Sequence, residues 1–269
     1  MLLKKHPIGL RILLALILFG LALFFSGLIN KGLLKAYFPY TSAILLGIAT
    51  WLLYKTENKS LSAIGLSLSL RHLSFLPLGL LIGALALLAA KYARALYTGE
   101  SFAISDAIDY SNIFYALYVI LPTVAVEEFL FRGYLFKKAI EISNVIIANI
   151  IFSMLFMLIH VFDENVMNNI GMMVFLIISI PVAHLFFATA LLKSKTLLFP
   201  IGLHLGNNWA TRHLITSSNT GNSILYTENN ASFDTWPSFI GFILIFNGVF
   251  LLMTFLIWKW KGFPFDKKG

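Results

Sequence analysis

Two adjacent carboxylates and an arginine, Glu127, Glu128 and Arg132, lie inside an apolar run that extends from about Ile113 to Phe136. A run of this length is sufficient to cross a bilayer. On insertion scales an acidic side chain at the bilayer centre costs roughly 2.5–3.5 kcal/mol, and the pair would cost about twice that without partners. The fold must therefore supply partners, and ionisable groups in such a segment indicate a functional site.

The composition is that of an integral membrane protein. Of the 269 residues, 59% are hydrophobic and only 12% are charged, whereas soluble domains carry about 25% charged residues. The net charge of +8 comes from basic residues at the ends of apolar runs, so we expect topology signals rather than a nucleic-acid site. The absence of cysteine excludes disulfides and thiolate metal sites.

The pattern of apolar segments predicts an all-α polytopic membrane protein with a bundle of about eight transmembrane helices. We expect one integral membrane domain over residues 1–269, with a motif-bearing core at about 113–215. The basic start of the first segment resembles a signal peptide, but no A-x-A-like site follows, so we interpret it as a transmembrane helix. The eight predicted segments are Ile8–Ile29, Phe38–Tyr54, Phe75–Tyr97, Ile113–Phe136, Val145–Phe162, Asn169–Leu192, Leu197–Ile215 and Ser238–Trp260.

Charge alternates between successive loops, as the positive-inside rule requires. This alternation and the even number of segments predict a multi-pass protein of a bacterial cell (inner) membrane with both termini in the cytoplasm. The basic set is Lys4, Lys5, Arg11, Lys55, Lys59, Arg71, Lys137, Lys138, Lys193, Lys195, Lys259, Lys261, Lys267 and Lys268. The opposite set holds Lys31 and Lys35 and then the acidic residues Glu100, Asp106, Asp109, Asp163, Glu164, Glu228 and Asp234. Lys91, Arg94 and Arg212 near helix ends are the exceptions to the alternation.

Helix geometry assigns different tasks to the two adjacent carboxylates. At about 100° per residue, Glu128 and Arg132 are about 40° apart on one helix face and can pair at i,i+4. Glu127 is about 140° from Arg132 and cannot easily share that contact. We therefore expect Glu128 to be neutralised structurally and Glu127 to remain available for chemistry.

Intramembrane histidines are the candidate partners of Glu127. His160 lies in the fifth segment, and His204 lies in the seventh, where Asn208 shares its helix face at i,i+4. The neighbouring Asn207 is the alternative candidate, and only the i,i+4 spacing to His204 favours Asn208.

Depth estimates at about 1.5 Å per residue compare these candidates. Glu127 and His204 come out at roughly 12–15 Å and 10–17 Å from the cytoplasmic boundary, which allows them to meet. His160 comes out at roughly 24 Å and His184, in the sixth segment, at about 12 Å, so depth alone favours His184. No catalytic role is expected for the histidines in basic flanks or at a helix end, which are His6, His72 and His213.

Three motifs, on the fourth, fifth and seventh segments, together resemble those of one family. They are Glu-Glu-x-x-x-Arg at Glu127–Arg132, Phe-x-x-x-His at Phe156–His160 and His-x-x-x-Asn at His204–Asn208. In order and spacing they resemble the CAAX protease and bacteriocin-processing family of intramembrane endopeptidases, which is related to the Rce1-type protease. The resemblance covers about residues 121–209.

The resemblance implies an endopeptidase with a site in the cytoplasmic half of the bilayer. Hydrolysis needs a general base near a water and donors aimed at the developing oxyanion. By resemblance, Glu127 and His160 activate the water, His204 and Asn208 donate to the oxyanion, and Glu128 and Arg132 form a structural pair. The implied substrate is a peptide or protein presented at the membrane, with or without a lipid, and prenylated CAAX proteins are the substrate class of the eukaryotic relatives.

Three alternatives remain open at this point. The mechanism is expected to need no cofactor, but Glu127, His160 and His204 could instead form a zinc triad, although the His-Glu-x-x-His motif is absent. The chain could be a non-catalytic family member acting in bacteriocin immunity or as a scaffold. An ion-coupled transporter is the third alternative, although neither an inverted repeat nor paired broken helices are visible in the sequence.

Overall fold

The computed structural model describes residues 7–67, 69–229 and 231–261. Lys4, Lys5, His6, Lys267 and Lys268 lie outside the described residues. The helices are α1 Pro7–Ile29, α2 Gly32–Tyr37, α3 Thr41–Lys55, α4 Leu70–Thr98, α5 Tyr110–Phe131, α6 Tyr134–Ile142, α7 Val145–Val161, α8 Glu164–Met167, α9 Ile170–Ser194, α10 Leu198–Trp209 and α11 Trp236–Lys259. The strands are β1 Phe102–Ile104, β2 Ile215–Thr216 and β3 Leu225–Thr227, and a π-helical turn covers Ala210–Leu214.

The all-α polytopic membrane architecture predicted from the sequence is confirmed, but the predicted number of eight spans is wrong. In the described part of the chain, five helical stretches are long and apolar enough to cross a membrane. The even count that placed both termini on one side therefore no longer supports that expectation. The five stretches are Ile8–Ile29, Leu70–Thr98, Tyr110–Ile142, Ile170–Ser194 and Trp236–Lys259.

Three of the predicted spans are helices shorter than the hydrocarbon core, which is about 30 Å thick. α3 has 15 residues, α7 has 17 and α10 has 12, which correspond to about 22, 26 and 18 Å. α10 packs against α4, α5 and α9. Every residue from Phe199 to Gly206 is buried, because neighbouring helices replace lipid around it. This enclosure explains why the segment is as apolar as a span.

Close packing of backbones holds α10 against α4. A Cβ atom added to Gly83 would collide with the carbonyl oxygen of Leu203, and one added to Gly206 would collide with that of Leu80. Small residues allow such close approach between membrane helices, where van der Waals packing drives association. This close contact between α4 and α10 fixes the position of the helix that carries His204.

A small sheet, which the sequence analysis did not predict, joins loops at one end of the bundle. β3 pairs antiparallel with β1 and parallel with β2, although each strand has only two or three residues. Because β1 follows α4 and β2 and β3 precede α11, the sheet brings two of the three predicted acidic loops together. Arg94 and Glu100 form an ion pair of 2.6 Å nearby.

At the other end of the bundle, the buried carboxylate of Glu57 forms ion pairs with several basic residues. The Glu57 side chain, only 6% exposed, forms ion pairs with Arg11 at 2.9 Å, Lys59 at 3.0 Å and Lys138 at 2.9 Å. The Tyr134 hydroxyl donates to Glu57 at 2.6 Å. Glu57 therefore links α1, the loop after α3, and α6, and the loops are grouped as their charges indicated.

Candidate active site

The last turns of α5 present the two adjacent carboxylates. The helix ends at Phe131, and the backbone N–H of Arg132 donates to the Glu128 carbonyl at 2.9 Å. At Gly133 a Cβ atom would collide with the carbonyl oxygen of Phe129, so only glycine allows the chain to turn so tightly into α6. This break replaces the continuous helix predicted through Phe136 and lets the Arg132 side chain fold back onto α5.

Glu128 is the centre of a fully buried hydrogen-bonded chain. Its Oε1 accepts from Arg132 Nη1 at 2.9 Å, and both side chains are 0% exposed. This is the i,i+4 pair expected from helix geometry. The same Oε1 lies 2.8 Å from His204 Nδ1. Since a carboxylate paired with a guanidinium accepts hydrogen bonds, Nδ1 carries the proton and donates to Glu128.

Glu127 faces the other nitrogen of the same imidazole. Its Oε2 lies 3.6 Å from His204 Nε2. The Glu127 side chain is 21% exposed, compared with 6% for His204 and none for Glu128. Glu127 is thus the carboxylate of the pair that water or a substrate can reach, whereas Glu128 is closed off behind the histidine.

Two phenylalanines enclose the polar cluster, and the sequence analysis assigned them no role. The Phe156 ring lies 4.1 Å from the Arg132 guanidinium, and the Phe187 ring lies 5.2 Å from it. Phe187 stacks on His204 with centroids 4.7 Å apart and an interplanar angle of 18°. Cation–π contacts of this kind stabilise a desolvated arginine. The sequence could have indicated Phe156, because it is part of the Phe-x-x-x-His motif. Phe187 belongs to no motif, so nothing in the sequence was a reason to select it.

His160 reaches the cluster through Phe156. Its Nδ1 lies 2.8 Å from the Phe156 carbonyl oxygen, and its ring packs edge-on against the Phe156 ring at 4.6 Å. Phe156 also meets the His204 ring, with centroids 6.2 Å apart. The two histidines therefore lie around one aromatic ring.

The two asparagines of α10 occupy different surroundings. Asn208 lies one turn beyond His204 and is half-buried. Asn207, its rival, is also half-buried and lines a cavity between α4, α9 and α11. The described contacts join Glu127, Glu128, Arg132 and His204 directly; the catalytic role of each predicted residue stays a prediction.

His184, which the depth estimate favoured, is packed behind the cluster. It is 0% exposed, and its ring lies edge-on to Phe136 at 5.7 Å. Neither ring nitrogen has a hydrogen-bond partner among the described residues. Two of the histidines expected to be peripheral, His72 and His213, are partly exposed. His72 contacts Ser67 at 2.6 Å and His213 contacts the Asn222 carbonyl at 2.8 Å.

The arrangement does not match the zinc alternative. Within the described ranges, no group of three or more His, Asp or Glu side chains is placed to hold a metal ion. His204 directs Nδ1 to Glu128, which leaves Nε2 and Glu127 as the two donors that face each other. A catalytic zinc takes three protein ligands, so these two donors are too few to hold one.

Comparison with known proteins identifies the segment that carries this cluster. Residues 109–210 match the family model described as type II CAAX prenyl endopeptidase Rce1-like. No curated protein and no solved structure matches the chain. The match extends from the start of α5 to the end of α10, and it confirms the family resemblance over this segment. At the level of the family, it supports a membrane endopeptidase of the CAAX-protease type.

Proposed function

We propose that the protein is an intramembrane endopeptidase that hydrolyses a peptide bond with a water activated by Glu127. The observation that carries this proposal is the position of His204 between two carboxylates. Glu128 fixes one ring nitrogen at 2.8 Å, while the partly exposed Glu127 lies 3.6 Å from the other. The geometry supports an oriented acid–base pair next to a closed structural ion pair.

Charge balance indicates where a proton resides. The two carboxylates and Arg132 sum to −1 when His204 is neutral, and one further proton makes the cluster neutral. Uncompensated charge in a water-poor interior is costly, so we infer that one proton is shared by Glu127 and His204. When it resides on His204, Glu127 is a carboxylate base and His204 is a cationic donor.

Hydrolysis can proceed from this protonation state. Glu127 removes a proton from water as the water oxygen bonds to the peptide carbonyl carbon, and His204 donates a hydrogen bond to the developing oxyanion. The tetrahedral intermediate then collapses, the C–N bond breaks, and Glu127 passes its proton to the leaving amine. Asn208 is proposed as a second oxyanion donor. His160, whose Nδ1 faces the Phe156 carbonyl, is proposed to orient the water through its other ring nitrogen.

An apolar groove beside the site suits a substrate with an apolar or lipidated part. A cavity of about 500 Å³ lies between α1, α5, α6 and α7 and is lined by Leu16, Phe131 and Phe152 among other apolar side chains. Phe131 packs against Phe156 with ring centroids 4.9 Å apart, so the groove ends next to the residues around Arg132. We propose that a membrane-presented peptide, with or without a lipid, lies here.

The proposed setting is a multi-pass protein of the cell (inner) membrane whose basic loops face the cytoplasm. The proposed partners are the bilayer and the peptide substrate. The carboxylates lie near the end of α5 that is joined to α6, the short helix that carries Lys137 and Lys138. A cytoplasmic substrate could therefore reach the site without crossing the membrane.

The proposal is tested by incubating purified protein with a farnesylated CAAX reporter peptide, with and without a chelator. Cleavage that survives chelation supports the metal-independent mechanism. Cleavage that is lost with chelator and restored by zinc would contradict it and would favour a metal site. If neither this reporter nor a panel of unlipidated membrane peptides is cleaved, the chain would be better described as a non-catalytic scaffold.

A further inference from the structure

A second cavity, distinct from the groove proposed for the substrate, lies between α4, α9, α10 and α11. Its volume is about 500 Å³, within the range of about 300–1,000 Å³ that is usual for small-molecule sites. Aromatic side chains form much of its wall. Phe175 stacks on Phe242 with parallel rings 5.7 Å apart, and it meets Phe246 at 5.4 Å. Such a wall favours an apolar ligand.

Two cations line this cavity, and among the residues that the structure describes only one of them forms an ion pair. Arg94 pairs with Glu100 at 2.6 Å and lies over the Phe242 ring at 5.1 Å. Lys91, one turn earlier on α4, forms neither a hydrogen bond nor an ion pair with any residue that the structure describes. A single ammonium group at the edge of an aromatic cavity complements a ligand with one anionic head.

The polar groups of the cavity argue against a peptide as the occupant. Asn247 donates to Ser179 at 2.9 Å, and the Thr211 hydroxyl donates to the Asn207 carbonyl at 2.8 Å. Few polar groups are left to satisfy the N–H and C=O groups of a peptide, and each unsatisfied one is costly in apolar surroundings. An acyl chain has no such groups.

We propose that this cavity binds a single-chain amphipathic anion of the long-chain fatty acid type. The carboxylate pairs with Lys91, and the chain lies among Phe175, Phe242 and Phe246. Because Asn207 of α10 and Thr211 of the following π-helical turn also line the cavity, an occupant contacts the helix that carries His204. The inference does not depend on the proposed peptidase function, since its readout is binding.

The test is a titration of the purified full-length protein, in non-ionic detergent, with hexadecanoate. We expect saturable binding at one site, at least tenfold weaker for Lys91→Met and unchanged for Lys35→Met, which removes an exposed lysine on α2. Ala183 lines the cavity, so Ala183→Phe should weaken binding at least tenfold without altering the charge. Hexadecanol, which lacks the anion, should bind wild type more weakly.

Three results would overturn the proposal. One is the absence of saturable hexadecanoate binding to wild type. Another is equal binding by Lys91→Met or by Ala183→Phe, each checked for folding by its thermal unfolding midpoint. The third is tighter binding of an apolar peptide that displaces hexadecanoate, which would assign the cavity to peptides instead.

Discussion

His204 Nδ1 and Glu128 Oε1 lie 2.8 Å apart, although the two residues are 76 positions apart in the chain. The same carboxylate oxygen holds Arg132 at 2.9 Å. The structural ion pair of α5 therefore also sets the orientation of an imidazole on α10. The pair that the sequence analysis treated as purely structural thus positions His204 toward Glu127.

Replacing Glu128 by glutamine should destabilise the protein. Arg132 would remain fully buried without the carboxylate that contacts it, and breaking a buried pair in this way costs about 3–5 kcal/mol. The thermal unfolding midpoint in detergent should fall clearly below that of wild type. The double variant Glu128→Gln/Arg132→Met, which removes both charges, should recover much of the loss. A single variant as stable as wild type would show that the pair contributes little.

Adding one methyl group at Gly83 should displace α10. Its Cβ would collide with the carbonyl oxygen of Leu203, next to His204. Overpacking of this kind costs about 1–3 kcal/mol, and a displacement of about 1 Å at a catalytic group can lower the rate about 10²-fold. Gly248→Ala is the matched control, because no atom lies within 4 Å of its added Cβ. Stability and reporter cleavage should fall for Gly83→Ala only. Equal effects of the two variants would show that the close contact between α4 and α10 does not position His204.

Local geometry made part of this site predictable from the sequence. The Glu128–Arg132 pair follows from the helix repeat alone, and the different position of Glu127 follows from the same argument. The contact between His204 and Glu128 joins two helices far apart in the chain, so no local pattern predicts it. The depth estimate for His160 assumed a full crossing, whereas α7 has only 17 residues.

The span count failed for a related physical reason. Hydropathy reports whether a segment avoids water, and α10 avoids water because α4, α5 and α9 surround it. A buried short helix and a transmembrane helix therefore have the same composition. The sheet was missed because strands of two or three residues, such as Ile215–Thr216, are too short to show an alternating pattern.

Acid should weaken the cluster around Glu57. Burial by itself raises the pKa of this carboxyl, but hydrogen bonds from Lys138, Tyr134, Lys59 and Arg11 more than offset that effect and lower its pKa from 4.5 to about 2. A lowered pKa means that Glu57 contributes stability above about pH 4.5, and that this contribution is lost as the pH falls toward about 2.

The measurement is the thermal unfolding midpoint of wild type and of Glu57→Gln, taken at pH values from about 6 down to about 2. The difference between the two proteins should be largest above about pH 4.5 and should shrink toward about pH 2. Glu164→Gln, at an exposed position, should follow the wild-type profile. A difference that does not depend on pH would mean that Glu57 does not titrate in this window.

The two loop groups should be accessible from opposite sides of the membrane. The chain has no cysteine, so single cysteines can be labelled without a background. Ser218 and Lys193 are both exposed and lie in the acidic and basic groups. In intact cells an impermeant maleimide should label Ser218→Cys, and it should label Lys193→Cys only after permeabilisation. The reverse pattern would invert the proposed orientation.

The most direct test of the central claim is the turnover of the farnesylated CAAX reporter by Glu127→Gln compared with Glu164→Gln. Both variants remove one carboxylate charge, but only the first removes the proposed general base, a contribution that is typically worth about 10²–10⁴-fold in rate. We predict that kcat falls at least 100-fold for Glu127→Gln, with an unchanged unfolding midpoint, and that Glu164→Gln cleaves like wild type. A folded Glu127→Gln variant that retains the wild-type rate would contradict the account.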